Sequence, residues 1–96
     1  MGADYRAKND AAFKLAALYG HLDIIEYLYT SGIDINVKNN ALILAAQNNQ
    51  LYIVKYLIKK GADIRTDDDR AIKMARKYQH REIVLYLKKC TRKLMI

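Results

Sequence analysis

Ala12-Phe13-Lys14-Leu15-Ala16-Ala17 returns as Ala41-Leu42-Ile43-Leu44-Ala45-Ala46 and again as Ala71-Ile72-Lys73-Met74-Ala75-Arg76. Working outward, Ile24-Ile25-Glu26-Tyr27-Leu28 recurs as Ile53-Val54-Lys55-Tyr56-Leu57 and as Ile83-Val84-Leu85-Tyr86-Leu87. Gly2-Ala3-Asp4, Gly32-Ile33-Asp34 and Gly61-Ala62-Asp63 recur at intervals of 30 and 29 residues. Ten or more positions thus agree in type across three copies of one module. A fixed period of this size is the signature of an array in which each module stacks on its neighbours.

Each module reads as two short helices. Leu15, Ala16 and Tyr19 follow Ala12 at helical spacing, and the alanines leave room for close helix approach. Asp10, Asn39 and Asp69 stand two residues before the equivalent alanines, so the spacing predicts them as N-caps of the first helices. In the second helix, Leu22, Ile25, Leu28 and Tyr29 form a buried stripe that Ile24 widens. Gly32 and Gly61 fall where a left-handed residue ends a helix. A hairpin of about twenty residues cannot bury its apolar face alone, but stacking on a neighbour does so.

Composition agrees. The 96 residues (11.1 kDa) allow one domain. A 52% hydrophobic, 28% charged chain has the apolar residues that a disordered segment lacks. The absence of proline and the presence of only four glycines disfavour the turn-rich sandwiches and barrels. The longest apolar run, Ala41–Ala46, is far short of the ~20 residues of a membrane span. Met1-Gly2-Ala3-Asp4-Tyr5-Arg6 lacks the apolar core of a secretory signal. One cysteine, Cys90, makes no internal disulfide, so the expected compartment is intracellular, cytoplasmic or nuclear.

The pattern Gly-x-x-Leu-x-Ile-(Ile/Val)-x-Tyr-Leu-x-x-x-Gly-(Ala/Ile)-Asp, after Ala-x-x-Leu-Ala-Ala, resembles the ankyrin repeat from Asp10 to about Lys89. Gly20-His21-Leu22-Asp23-Ile24-Ile25 carries the resemblance most specifically. The resemblance implies an all-α, ankyrin-type repeat solenoid of three helix-turn-helix units with truncated β-hairpin fingers. The usual unit has thirty-three residues and a Gly-x-Thr-Pro-Leu-His entry; these units lack Thr-Pro and three or four residues before the first helix. Shortened units ending Gly-Ala-Asp-Ile-Arg are similar to the ankyrin variant abundant in giant DNA viruses of amoebae, which implies a host-cell setting. The expected division is a tail of a preceding repeat at 1–8, then units at 9–38, 39–67 and 68–96. Residues 1–8 match the strand-like close of a preceding unit. The first complete unit is therefore expected to present an uncovered stacking face, closed either by a partner or by a longer array. The third unit reads as a cap with a basic tail: Arg76 replaces Ala17 and Ala46, Arg81 replaces Leu22 and Leu51, and Thr91 replaces glycine. Leu94-Met95-Ile96 has no counterpart.

The residues offer little to catalysis. His21 and His80 share a slot with Gln50, which points to a structural hydrogen bond. They lie on non-adjacent units, about 20 Å apart at ~10 Å per unit, and with one cysteine they fall short of a zinc ligand set. Lys88, Lys89, Arg92 and Lys93 surround Cys90, yet no base is spaced to activate its thiol. Asp67-Asp68-Asp69 suits the start of a helix through its dipole. There is no phosphate loop and no calcium pattern. The expectation is a protein that is not an enzyme, with no metal, no cofactor, no small-molecule substrate and no membrane partner.

Recognition is the remaining task. Tyr27, Tyr56 and Tyr86 recur at one slot and read as scaffold. The resemblance implies that the two residues after Leu-Ala-Ala face a concave groove and vary with the partner. Here these are Leu18 and Tyr19, Gln47 and Asn48, and Lys77 and Tyr78, with Lys14, Lys38 and Lys73 beside them. Residues 1–48 hold four basic and five acidic side chains, whereas residues 49–96 hold thirteen and five. That imbalance favours anionic partners. The expected function is non-catalytic protein–protein interaction, with an acidic protein surface as a fitting partner. The alternative is binding of nucleic acid or another polyanion through Arg70, Lys73, Arg76 and Lys77.

Overall fold

The structure, a computed structural model, describes residues 5–94, with side chains described from Ala7 to Arg92. Six helices follow one another: α1 Tyr5–Tyr19, α2 Leu22–Tyr29, α3 Ile35–Gln47, α4 Leu51–Lys59, α5 Thr66–Lys77 and α6 Arg81–Leu94. They form three hairpins. The first helices stack in one layer, α1 on α3 on α5, and the second helices stack in the other, α2 on α4 on α6. The result is a short rod of 45 × 26 × 21 Å, with no strand among the described residues.

The core runs through the rod as a seam. Phe13, Ala16, Ala17 and Ile25 of the first unit continue into Leu42, Ala45, Ala46, Val54 and Leu57 of the second. These continue into Ala71, Ala75, Ile83 and Leu87 of the third. Alanine at the crossings lets neighbouring helices approach closely, toward the short end of the usual 8–10 Å. Tyr29 fastens the first two units. Its ring meets Phe13 at 6.5 Å and Tyr56 edge-on at 5.8 Å, and its hydroxyl donates to the Lys60 carbonyl at 2.8 Å.

Each hairpin turns at a left-handed residue: Gly20 (φ 83°), Asn49 (59°) and Gln79 (61°). The next N–H in each case bonds five residues back, His21 to Ala16, Gln50 to Ala45 and His80 to Ala75, at 2.8–2.9 Å. Gly20 answers a second demand, since a Cβ there would lie 2.5 Å from Gln50 Oε1. At the end of α4, the Gly61 N–H bonds to Ile58 O and the Ala62 N–H to Leu57 O, the paired bonds of a Schellman close.

The slot of His21, Gln50 and His80 has a common use. Gln50 Nε2 donates to the Leu18 carbonyl of the preceding unit at 3.2 Å, and His80 Nε2 meets the Gln47 carbonyl at 2.8 Å. Leu18 and Gln47 are themselves repeat-equivalent. Each unit after the first thus reaches back to satisfy a helix-end carbonyl of its neighbour. His21 is exposed and has no such partner among the described residues.

The helix starts differ from expectation. Asp34, not Asn39, caps α3: its Oδ1 accepts the Asn36 N–H at 2.8 Å. The equivalent Asp63 accepts the Arg65 N–H at 2.9 Å in the turn ahead of α5, which itself has no side-chain cap. Asn39 lies inside α3, buried, with its Oδ1 accepting the Asp63 N–H of the next unit at 2.8 Å. Asp10 lies inside α1. The reason is the missing finger: without enough chain for a hairpin, extra helical turns supply the backbone bonds instead. The expected boundaries at 9, 39 and 68 consequently fall within helices, and residues 5–8 are helix rather than a strand-like tail. Residues 1–4 and the Met95-Ile96 part of the tail lie outside the described residues.

The third unit needs one extra residue between Gly61 and Ala71, compared with Gly32 to Ala41. Asp67, Asp68 and Asp69 absorb it in a left-handed turn (φ 54°, 58° and 61°), so Asp69 does not act as a cap. Aspartate tolerates this region better than most residues. Each carboxylate also takes a cation, Asp67 from Arg70 at 2.7 Å, Asp68 from Lys73 at 2.9 Å and Asp69 from Arg65 at 3.0 Å.

Two outcomes follow for stability, both readable by urea denaturation. Gln79→Gly relieves a left-handed residue and raises the unfolding free energy by about 0.5–1 kcal/mol, whereas Gly20→Ala lowers it by about 1–2 kcal/mol or more. His80→Ala costs about 1 kcal/mol through its lost carbonyl contact, whereas His21→Ala stays within about 0.5 kcal/mol.

Candidate partner-binding surface

The first helices present an outer side that the second helices do not cover. A cleft of about 320 Å³ runs across it, lined by Lys14 from α1, Asn40, Ile43 and Leu44 from α3, and Asp67 and Arg70 from α5. All three units therefore contribute to one concavity. Arg70 lies within it already neutralised by Asp67.

The slot that ends the first helices runs Tyr19, Asn48 and Tyr78. Tyr19 is 66% exposed and Tyr78 46% exposed. Tyr78 stacks on His80 at 6.3 Å, with Lys77 Nζ 5.5 Å from its ring. Because His80 is itself tied to Gln47, the Tyr78 ring is held from behind while one side stays open. Asn48 closes α3 by donating from Nδ2 to the Leu44 carbonyl at 2.8 Å. Leu18 and Gln47 are half-buried, and their carbonyls serve the contacts between units.

Two of the named lysines are otherwise engaged. Lys38 Nζ sits 3.9 Å over the Tyr29 ring, on the side of α3 that faces α2, and so stands apart from the cleft. Lys73 is exposed but bound to Asp68, and its hydrogen bond holds that carboxyl below the ordinary carboxylate range. Since the folded value is depressed, this pairing is present above the unfolded value and is lost as pH falls through the folded one. The basic character of the third unit therefore rests on other groups. Arg76, Lys77, Lys88 and Arg92 make no ion pair among the described residues. Arg76, Lys88 and Arg92 line a second cleft of about 450 Å³ with Asp69, Ile72 and Thr91.

The tyrosine slot of the second helices divides. Tyr56 and Tyr86 are half-buried against the preceding unit, and burial pushes both phenols above their ordinary value. Tyr27, expected as scaffold, is 76% exposed, because no preceding unit lies against it among the described residues. The sequence reading also passed over Tyr52, which projects from α4 into a cleft of about 470 Å³ with Leu22, Glu26, Lys55 and Tyr56. Its signal was the scatter of its slot, filled by Asp23, Tyr52 and Glu82 just before the constant Ile24, Ile53 and Ile83.

Among the described residues, no three His, Cys, Asp or Glu side chains converge as metal ligands, and no helix is long and apolar enough to cross a membrane. No curated protein matches the chain. A family model for ankyrin repeats, in three copies, matches residues 13–95. Such repeats generally act as protein–protein interaction modules and are typically non-catalytic. With most of its length covered and its three stacked hairpins in register, the chain belongs to the ankyrin repeat family.

Proposed function

We propose that this protein is a non-catalytic recognition module that grips a protein partner along the exposed side of α1, α3 and α5. The observation that carries this reading is the cleft to which all three units contribute, on the same layer of helices whose C-terminal ends present the exposed Tyr19 and Tyr78. Aromatic rings lose little conformational freedom on contact and are frequent interface anchors. The stacked helices hold these groups before the partner arrives, so binding costs little ordering entropy. Lys14, Leu18, Tyr19, Gln47, Asn48, Lys77 and Tyr78 are assigned to this contact. Lys73 joins it if a partner carboxylate displaces Asp68, whereas Lys38, held over the Tyr29 ring, lies outside the cleft.

A second reading has its own observation. The cleft of Arg76, Lys88 and Arg92 holds one carboxylate, Asp69, which already pairs with Arg65. Such a cleft suits a phosphate group of nucleic acid or another polyanion. The 29- and 30-residue units and the single cysteine support the shortened viral type of repeat, working in the cytoplasm or nucleus of a host cell.

Capture from cell lysate, followed by mass spectrometry and titration of the recovered partner, tests the first reading. The complex is expected to persist at 0.3 M salt, and Tyr19→Ala with Tyr78→Ala weakens it by about 30-fold or more, equivalent to about 2 kcal/mol. The second reading predicts that a labelled DNA duplex binds with log K falling linearly in log salt, and that Arg76→Glu with Lys88→Glu abolishes it. Retention of the partner by the tyrosine double variant at full affinity would defeat the groove assignment.

A further inference from the structure

The groove of the first helices carries its cations at repeat-related places. Lys14 and Lys73 share one slot in the first and third units, and Ile43 fills it in the second. Lys14 and Ile43 line the cleft together with Arg70. The row therefore reads cation, aliphatic, cation over about 20 Å, at ~10 Å per unit. An extended peptide of about six or seven residues, at ~3.3 Å each, covers that span.

Lys14 makes no ion pair among the described residues, but Arg70 and Lys73 are occupied by the chain itself. Asp67 takes Arg70 at 2.7 Å and Asp68 takes Lys73 at 2.9 Å. Both carboxylates sit in the left-handed turn that absorbs the third unit's extra residue. The equivalent slots hold Lys8 and Asn9 in the first unit and Val37 and Lys38 in the second, none of them acidic. Asp69 is used differently: its N–H bonds to the Arg65 carbonyl at 3.2 Å and its carboxylate accepts from Arg65 Nε at 3.0 Å. That pair closes the turn and leaves its two neighbours to the groove cations.

The backbone does not require these carboxylates. At φ 54° and 58°, glycine sits without steric cost and asparagine is tolerated as well as aspartate. Stability does not require them either, since ion pairs this open to solvent contribute little to folding. The Asp68 side chain is 90% exposed. What the two acids do is place negative charge on the cations that a partner's carboxylates would otherwise meet.

We infer that Asp67 and Asp68 are a built-in competitor that masks Arg70 and Lys73 against an acidic, extended partner segment with an aliphatic centre. The inference rests on the groove reading and adds to it the chemistry of the partner and a threshold for its binding. Because exposed pairs are weak, the mask tunes affinity and does not close the groove.

A fluorescein-labelled heptapeptide, six glutamates around a central leucine, is the probe, titrated by fluorescence anisotropy at about 0.15 M salt. Asp67→Asn with Asp68→Asn is expected to tighten its binding about fivefold, the scale of two exposed pairs. Asp67→Gly with Asp68→Gly suits the left-handed backbone and is expected to give the same gain, which covers misfolding of the first variant. Asp23→Asn with Glu26→Gln raises the net charge equally on α2, away from the groove, and is expected to change affinity by less than about twofold. Arg70→Gln with Lys73→Gln is expected to abolish the gain in the asparagine variant and to cost less in the unmodified chain, where both cations are masked. The inference is overturned if the α2 variant tightens binding as much, or if the probe binds none of these chains. Equal affinity with and without the two carboxylates also overturns it, and leaves intact the groove itself, which Tyr19→Ala with Tyr78→Ala tests separately.

Discussion

One constraint governs the molecule: no hairpin of this array can hide its apolar surface without a neighbour. Phe13, Leu42, Val54 and Leu57 are fully buried because other units lie against them, not because any single helix pair encloses them. The alanines follow from the same demand. Ala16, Ala17, Ala45, Ala46, Ala71 and Ala75 keep the first helices close enough for the seam to be continuous. Polar groups repeat the logic in miniature. Gln50, His80, Asn39 and the Tyr29 hydroxyl each satisfy, or are satisfied by, the backbone of an adjoining unit.

Function follows from stacking in turn. Side chains on a lone hairpin would be mobile, and a surface assembled from them would bind at an entropic cost. Held in a rod, Lys14, Ile43 and Arg70 line one cleft although they come from three units. The stacking that positions the groove also makes an array open-ended. Slots that hold Ala46, Leu51 and Ile58 in the second unit hold Arg76, Arg81 and Lys88 in the third, so the outer face of the third unit is charged.

The sequence revealed most of this architecture because repeats are self-checking: three copies of one pattern separate constant slots from variable ones. The hydrogen-bonding role of the His21, Gln50 and His80 slot was legible for that reason, as was the exposure of Tyr19 and Tyr78. The helix starts were misread because Asp10, Asn39 and Asp69 have the right chemistry for a cap, and so do Asp34 and Asp63. Only the three-dimensional path shows that Asn39 is occupied by Asp63. The left-handed turn at Asp67–Asp69 was hidden in a single extra residue. Lys38 and Lys73 were named among the contact residues because sequence spacing does not reveal that Tyr29 and Asp68 engage them. Tyr27 was grouped with its buried equivalents, since slot identity records what a residue can do and not whether its neighbour is there.

Native-state hydrogen exchange tests the central claim most directly, since protection reports the stability of each unit in place. If neighbour contact carries the fold, the amides of α3 and α4, flanked on both sides, exchange slowest, and those of α1–α2 and α6 exchange through openings of lower free energy. Equal protection across the three units, or greatest protection in the first, would contradict the account.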